Sequence, residues 1–184
     1  MRIVKTVLLA ALLGGATGGT ALGADVTVLA TSAPGVPGEM AVHDGGFDWS
    51  GFYAGIYGGV QQEAGADTRL GLGIQAGVNA QFDFYLVGAE VAVHGLTGGG
   101  VGDGGYGQLL GRAGLVVSDD VLVYAAGGYG LNLGTPAQDA ALLGGGVEIS
   151  LTDSLSLDAQ YLHGVPLSGG NANNQFTLGA NFHF

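Results

Sequence analysis

Cysteine is absent from this 184-residue chain, which excludes a disulfide scaffold and a thiolate zinc site. Basic residues are almost absent as well. Four Lys and Arg stand against fifteen Asp and Glu, so there is no basic patch to neutralise the phosphates of a nucleic acid. Proline is scarce at four residues, and the 39 glycines follow no G-X-Y period, so the chain is not a collagen. Charged residues make up only 10% of the chain and hydrophobic ones 47%, a balance that cannot keep a whole polypeptide disordered. What is present is an apolar chain, rich in glycine and poor in charge.

The first 24 residues, MRIVKTVLLAALLGGATGGTALGA, set Arg2 and Lys5 before an apolar run from Val7 to Leu13. Small residues then lead to Ala24. This is the pattern of a secretory signal peptide, and its apolar run is shorter than the ~20 residues that span a bilayer as a helix. Removing it leaves Arg69 and Arg112 as the basic side chains against all fifteen acidic ones. Residues 25–46 contain Pro34, Pro37 and several glycines and fit neither helix nor strand. They read as a flexible periplasmic leader, with a lumen plug as the alternative.

No stretch of the remaining chain repeats every 3.6 residues. The best helix candidate, VLVYAAGGYGLNLG (121–134), contains four glycines and is too short to cross a membrane. The period that does appear is two. In RLGLGIQAGVNAQF (69–82), Leu70, Leu72, Ile74, Ala76, Val78, Ala80 and Phe82 share one face; Arg69, Gln75, Asn79 and four more small or polar residues share the other. A soluble strand is usually about 5–6 residues, whereas a transmembrane β-strand needs ~9–11 with one face to lipid. Seven further segments, at 51–62, 85–94, 106–117, 121–132, 141–151, 155–164 and 175–184, bring the count to eight. Short connections at 82–84, 118–120 and 152–154 alternate with longer ones at 95–105, 133–140 and 165–174. Short periplasmic turns opposite longer outer loops, with an even strand count that leaves no open edge, predict an all-β fold. The expected architecture is an eight-stranded antiparallel up-and-down transmembrane β-barrel over residues 47–184. Trp49, Phe52, Phe82, Phe84, Tyr85, Phe182 and Phe184 fall near the short-turn rim and are expected to form an aromatic girdle. Tyr57, Tyr106, Tyr129, Tyr161 and Phe176 are expected to form the outer one.

FDWSGFYAGIYGG (47–59) resembles the Trp-Thr/Ser-Gly-Phe-Tyr-x-Gly opening of the alphaproteobacterial outer-membrane immunogenic, porin-like proteins. These are relatives of the OmpA transmembrane domain and the opacity-type adhesins. VGAEVAV, GRAGLVVSDDVLVYAAGGYG, GGGVEISLTDSLSLDAQYLH and the closing FTLGANFHF are similar to that family's hairpins, in order, across residues 47–184. The resemblance implies a barrel in the outer membrane of a Gram-negative bacterium. It implies insertion by the outer-membrane assembly machinery, with Phe184 as the assembly signal. Where the family often carries Glu before the Tyr of strand seven, this chain has Gln160, and its loops are shorter and less charged.

Five charged side chains fall on the inward faces: Arg69, Glu90, Arg112, Glu148 and Asp158. Glu90 and Arg112, on neighbouring strands at similar depth, are expected to pair. The turn at 152–154 sets Leu151 opposite Leu155 and therefore Glu148 opposite Asp158. Like charges opposed across a ladder are destabilising, so either an arginine reaches both or one carboxylate is protonated.

Catalysis finds little support. His163 and Ser168 do not match the His-x-Ser pattern of barrel deacylases, and the four histidines share no metal-ligand spacing. GGGVGDGGYG (98–107) is a single glycine-rich unit, better read as a surface loop than as a calcium repeat. No cofactor is implied. Eight strands enclose a space just wide enough for side chains, yet Gly71, Gly73, Gly77, Gly88, Gly114, Gly128 and Gly144 point inward and leave room for a thin channel. The sequence therefore predicts a structural, surface-exposed outer-membrane barrel without catalysis, whose partner is the lipid bilayer. A narrow passive porin is the alternative, and a lipid acyl-chain enzyme a more distant one.

Overall fold

The computed structural model describes residues 46–63, 68–97, 105–132, 139–167 and 171–184. The expected signal peptide and leader lie outside the described residues, Gly46 excepted, as do the tips of all four longer loops.

The described chain forms eight strands. They are β1 (Gly51–Glu63), β2 (Arg69–Phe82), β3 (Tyr85–Thr97), β4 (Gly105–Ser118), β5 (Val121–Asn132), β6 (Asp139–Thr152), β7 (Leu155–Pro166) and β8 (Asn173–His183). Each is hydrogen-bonded to its sequence neighbour in antiparallel register, and β8 returns to β1, so the sheet closes into a barrel. At the seam Tyr53 stands opposite His183, and Phe52 and Phe184 exchange backbone hydrogen bonds of 3.3 and 3.0 Å. Closure satisfies the backbone polar groups that an open edge would leave exposed. Strands of 11 to 14 residues, at about 3.3 Å per residue and a tilt of about 40°, are long enough to cross an apolar layer of about 25–30 Å.

The alternation read in β2 decides which side chains face in. Gln75 and Asn79 are buried, while Leu72 and Ile74 are 78% and 55% exposed on the outer wall. The same outer wall carries Phe52, Ile56, Val87, Leu115, Leu157 and Leu178, all exposed. A continuous apolar exterior around a polar interior is the reverse of a water-soluble fold.

The short turns are tighter than simple register predicts. β-Bulges interrupt the ladder between Val116 and Ser118 and between Ser150 and Thr152, so Thr152, not Leu151, stands opposite Leu155. The cause is local: Thr152 Oγ1 accepts the backbone N–H groups of Leu155 at 3.1 Å and Ser154 at 3.4 Å. Register is recovered within two residues, and Glu148 does stand opposite Asp158. In the turn between β2 and β3, Asp83 takes a φ of 58°, a left-handed conformation that Asp tolerates better than most residues.

Candidate functional site

The interior is filled in layers, and the charged layer sits in its middle. Arg112, from β4, is 3% exposed and reaches across the lumen. Its Nη2 donates to Glu148 Oε2 on β6 at 2.7 Å, and its Nη1 donates to Tyr53 Oη at 2.6 Å and Glu90 Oε2 at 3.3 Å. Tyr53 in turn donates its hydroxyl to Glu90 Oε2 at 2.6 Å, closing a ring of three groups from β1, β3 and β4. The guanidinium lies 4.0 Å from the centroid of the Tyr124 ring and 5.2 Å from that of Tyr53, so its faces are also covered. Buried charges persist only when paired and hydrogen-bonded in this way.

Glu148 is fully buried, and its second oxygen is equally committed. Oε1 accepts from Ser156 Oγ at 2.6 Å, from Asn181 Nδ2 at 2.9 Å and from His183 Nε2 at 3.2 Å. Gln75 extends the set by donating to Asn181 Oδ1 at 2.7 Å. Asp158 is held differently: Tyr124 donates its hydroxyl to Oδ2 at 2.5 Å, while Gln160 donates to the Tyr124 oxygen at 3.2 Å. The arginine therefore reaches one of the two opposed carboxylates, and a tyrosine serves the other.

Two glycines are seats for these aromatic rings. Gly77 stands opposite Tyr53 in the β1–β2 ladder, and a Cβ there would lie 2.5 Å from the Tyr53 ring. Gly146 stands opposite Tyr124 in the β5–β6 ladder, where a Cβ would lie 2.6 Å from the hydroxyl. At these two positions the space beside the glycine is thus occupied by a tyrosine lying across it, the aromatic cover that glycine in a sheet commonly requires.

Above this layer, toward the longer loops, Tyr57 Oη meets His94 Nδ1 at 2.9 Å and Gln108 donates to Gln175 Oε1 at 2.6 Å. The cavity between Tyr57, Gln61, His94 and Gln175 measures 10 Å³, room for about one water molecule.

The sequence-derived residues separate into two groups. Glu90, Arg112, Glu148 and Asp158 come together. Arg69 does not: it stands opposite Gln61 at the loop end of β2, whereas the level of Glu90 on that strand is Gly77. Eight residues, about 26 Å of strand at 3.3 Å each, separate the two levels, so the inward face alone does not put Arg69 in this network. Of the short-turn aromatics, Phe52, Phe82, Phe84, Tyr85, Phe182 and Phe184 point outward and are exposed. Trp49 is the correction: it is 0% exposed and lies inside the barrel mouth. Its reason is parity: Trp49 is an even number of residues ahead of Tyr53 and Tyr57 and shares their inward face, whereas Phe52 lies on the outer one. Tyr57 and Tyr106, expected in the outer girdle, are also buried inward. Both share the face of their strands that carries Tyr53 and Arg112.

Sequence reasoning missed Tyr53, Tyr124, Ser156, Asn181 and His183. The first two were signalled by inward parity beside a cross-strand glycine. Ser156, His183 and Glu148 are the residue types of a hydrolytic triad, but the geometry is not one. Ser156 Oγ and Glu148 Oε1 both approach the same ring nitrogen, Nε2, at 3.0 and 3.2 Å. An imidazole relays a proton between a serine and a carboxylate through opposite nitrogens. Ser156 and Glu148 are also wholly buried. Among the described residues no group of His, Asp and Glu is arranged to hold a metal ion.

No known family and no curated protein matches this chain in sequence. Its fold is similar to several solved structures. Neisserial surface protein A matches with a TM-score of 0.55 and 16% identity, covering 73% of this chain and 98% of that one. The attachment invasion locus protein Ail of Yersinia pestis matches with a TM-score of 0.50 and 15% identity, covering 72% and 96%. The same protein in complex with the heparin analogue sucrose octasulfate matches with a TM-score of 0.51 and 17% identity over the same shares. These likenesses show the fold, a closed eight-stranded antiparallel barrel of the kind found in bacterial outer membranes.

Proposed function

We propose that this chain is an integral outer-membrane barrel of a Gram-negative bacterium with a structural, surface-exposed role, neither an enzyme nor an open pore. The observation that carries this reading is the cross-section at Arg112. Glu90, Glu148, Tyr53 and Tyr124 surround the guanidinium and fill the middle of the lumen, so ions and solutes meet a barrier of ion-paired side chains and rings. The apolar outer wall supports the membrane placement, and the barrel fold of the outer-membrane proteins above supports its identity as one of them. The signal peptide at 1–24 would supply export, and the resemblance of residues 47–184 to the alphaproteobacterial immunogenic, porin-like family supplies the more specific assignment. Loops displayed outside the cell, on a barrel that provides only anchorage, are the part available to meet other molecules.

The test has two stages. Protein folded into vesicles is run on a denaturing gel with and without boiling; a closed barrel migrates as a compact species until heated. The same preparation is then placed in a planar bilayer. Absence of single-channel steps agrees with the proposal, whereas regular steps would establish the narrow porin instead. Mass spectrometry of lipid A with and without the protein covers the acyl-chain enzyme, for which a change in acyl number is the positive result.

A further inference from the structure

The four residues before β1 lie outside the strand ladder and turn into the barrel mouth. FDWS (47–50) alternates: Phe47 and Trp49 are buried, Asp48 and Ser50 exposed. The backbone N–H of Phe47 donates to the carbonyl of Asp119 in the β4–β5 turn at 2.9 Å. The backbone N–H of Trp49 donates to Gln81 Oε1 at 3.1 Å, and the backbone N–H of Gln81 donates to Ser50 Oγ at 3.2 Å, which ties the segment to the end of β2. In a ring of eight strands, β1 and β5 are diametrically opposite. Four extended residues span about 13 Å, enough to run from β1 across the mouth to the far side.

The inward face of this strap closes over the buried charge. Phe47 and Trp49 meet edge-on at 4.6 Å, and both lie edge-on to the His183 ring, at 5.0 and 5.8 Å. His183 stacks on Tyr53 at 5.5 Å and contacts Glu148 with its Nε2. Leu86 and Leu122, both fully buried, belong to the same apolar cluster as Phe47 and Trp49. The order outward from the charged layer is therefore Glu148, then His183, then two aromatic rings, then solvent. The partners of the strap sit at the end of β2, in the β4–β5 turn and on β8, so they occupy one site only after β8 has closed on β1.

We propose that Phe47–Ser50 is a stopper that locks across the short-turn mouth after the strands close, and that it keeps the Arg112–Glu148 network from water on that side. Trp49 is its core, and it works from inside the lumen instead of anchoring the barrel in the lipid interface.

The chain supplies its own reporter, because Trp49 is its one tryptophan, and a clean background for labelling, because it has no cysteine. The full chain is folded into vesicles, and the gel shift on boiling confirms closure before any reading, which keeps a failed barrel distinct from a failed stopper. Expected is Trp49 emission that resists quenching both by acrylamide in the buffer and by brominated lipids. Strong quenching by brominated lipid would place Trp49 in the girdle, and quenching by acrylamide at the rate of free indole would leave it loose in solvent; either overturns the proposal. As a second measurement, Ser156→Cys puts a thiol beside Glu148, beneath the stopper. Labelling by a charged methanethiosulfonate should be slow in that variant and at least tenfold faster when Trp49→Ala is added in barrels that still shift on boiling. Equal rates would mean that the mouth is not sealed by this segment.

Discussion

Glu148 and Asp158 face each other across the β6–β7 ladder, but the lumen treats them unequally: Arg112, Ser156, Asn181 and His183 converge on Glu148, while Tyr124 donates to Asp158. The inequality has a measurable consequence. Asp158→Asn keeps an acceptor for Tyr124 and removes a like charge, so stability should be unchanged or rise by up to about 1 kcal/mol. Glu148→Gln leaves Arg112 with Glu90 as its remaining buried carboxylate and should cost about 3 kcal/mol. Urea unfolding in vesicles, followed by the gel shift, measures both; equal losses would contradict the asymmetry.

Tyr53 and Gly77 test the seating of rings on glycine. Gly77→Ala sets a Cβ 2.5 Å from the Tyr53 ring, forcing a side chain with hydrogen bonds to both Glu90 and Arg112 to shift. A cost of about 1–3 kcal/mol is expected from such overpacking. With Tyr53→Leu already in place the same alanine should cost less, and a double-mutant cycle should return a coupling of about 1 kcal/mol or more. Additive effects would show that the ring and the glycine are independent.

Ile74 tests the outer wall. It is inward of neither mouth and half exposed, so Ile74→Arg would place a charge against hydrocarbon at a cost of about 2–4 kcal/mol. Gln62→Arg, at the loop end of β1, should cost at most about 1 kcal/mol because the penalty falls toward the interface. Folding yield and unfolding free energy in vesicles compare the two, and similar values at both sites would argue against a lipid-facing wall at Ile74.

Asp83 carries the left-handed turn between β2 and β3. Asp83→Gly removes the steric cost of a positive φ and should leave stability within about 0.5 kcal/mol, while Asp83→Val should lose about 1–2 kcal/mol. The hydrogen bond from Gln81 Nε2 goes to the Asp83 carbonyl and is present in every variant, so the comparison isolates backbone strain. A valine variant as stable as the aspartate would remove that explanation.

Most of this barrel was legible residue by residue, because a strand's side chains alternate wherever the strand goes. The parity of Leu72 against Gln75, or of Leu115 against Arg112, is a property of two or three consecutive residues and needs no knowledge of the partner strand. Turn length then pairs neighbours, which is why Glu148 could be set opposite Asp158 even though the bulge before Thr152 was not foreseen. Arg69 shows the limit of that reasoning. Its face was read from alternation, but its height relative to Glu90 follows from the β2–β3 register.

Contacts across the lumen lie beyond local pattern altogether. Arg112 meets Glu148 two strands away because closure brings β4 and β6 around a common axis, and nothing in either strand's periodicity specifies that distance. Trp49 shares the inward parity of Tyr53, but what it covers there, His183, Leu86 and Leu122, comes from three different strands. By itself the sequence determined how many strands there are, which faces meet apolar surroundings and which ends carry the short turns, since each of these rests on neighbours along the chain. Only the closed tertiary structure decided which inward side chains touch, where the charge is held and what seals it, because those depend on the width and register of a ring that exists only when β8 has paired with β1.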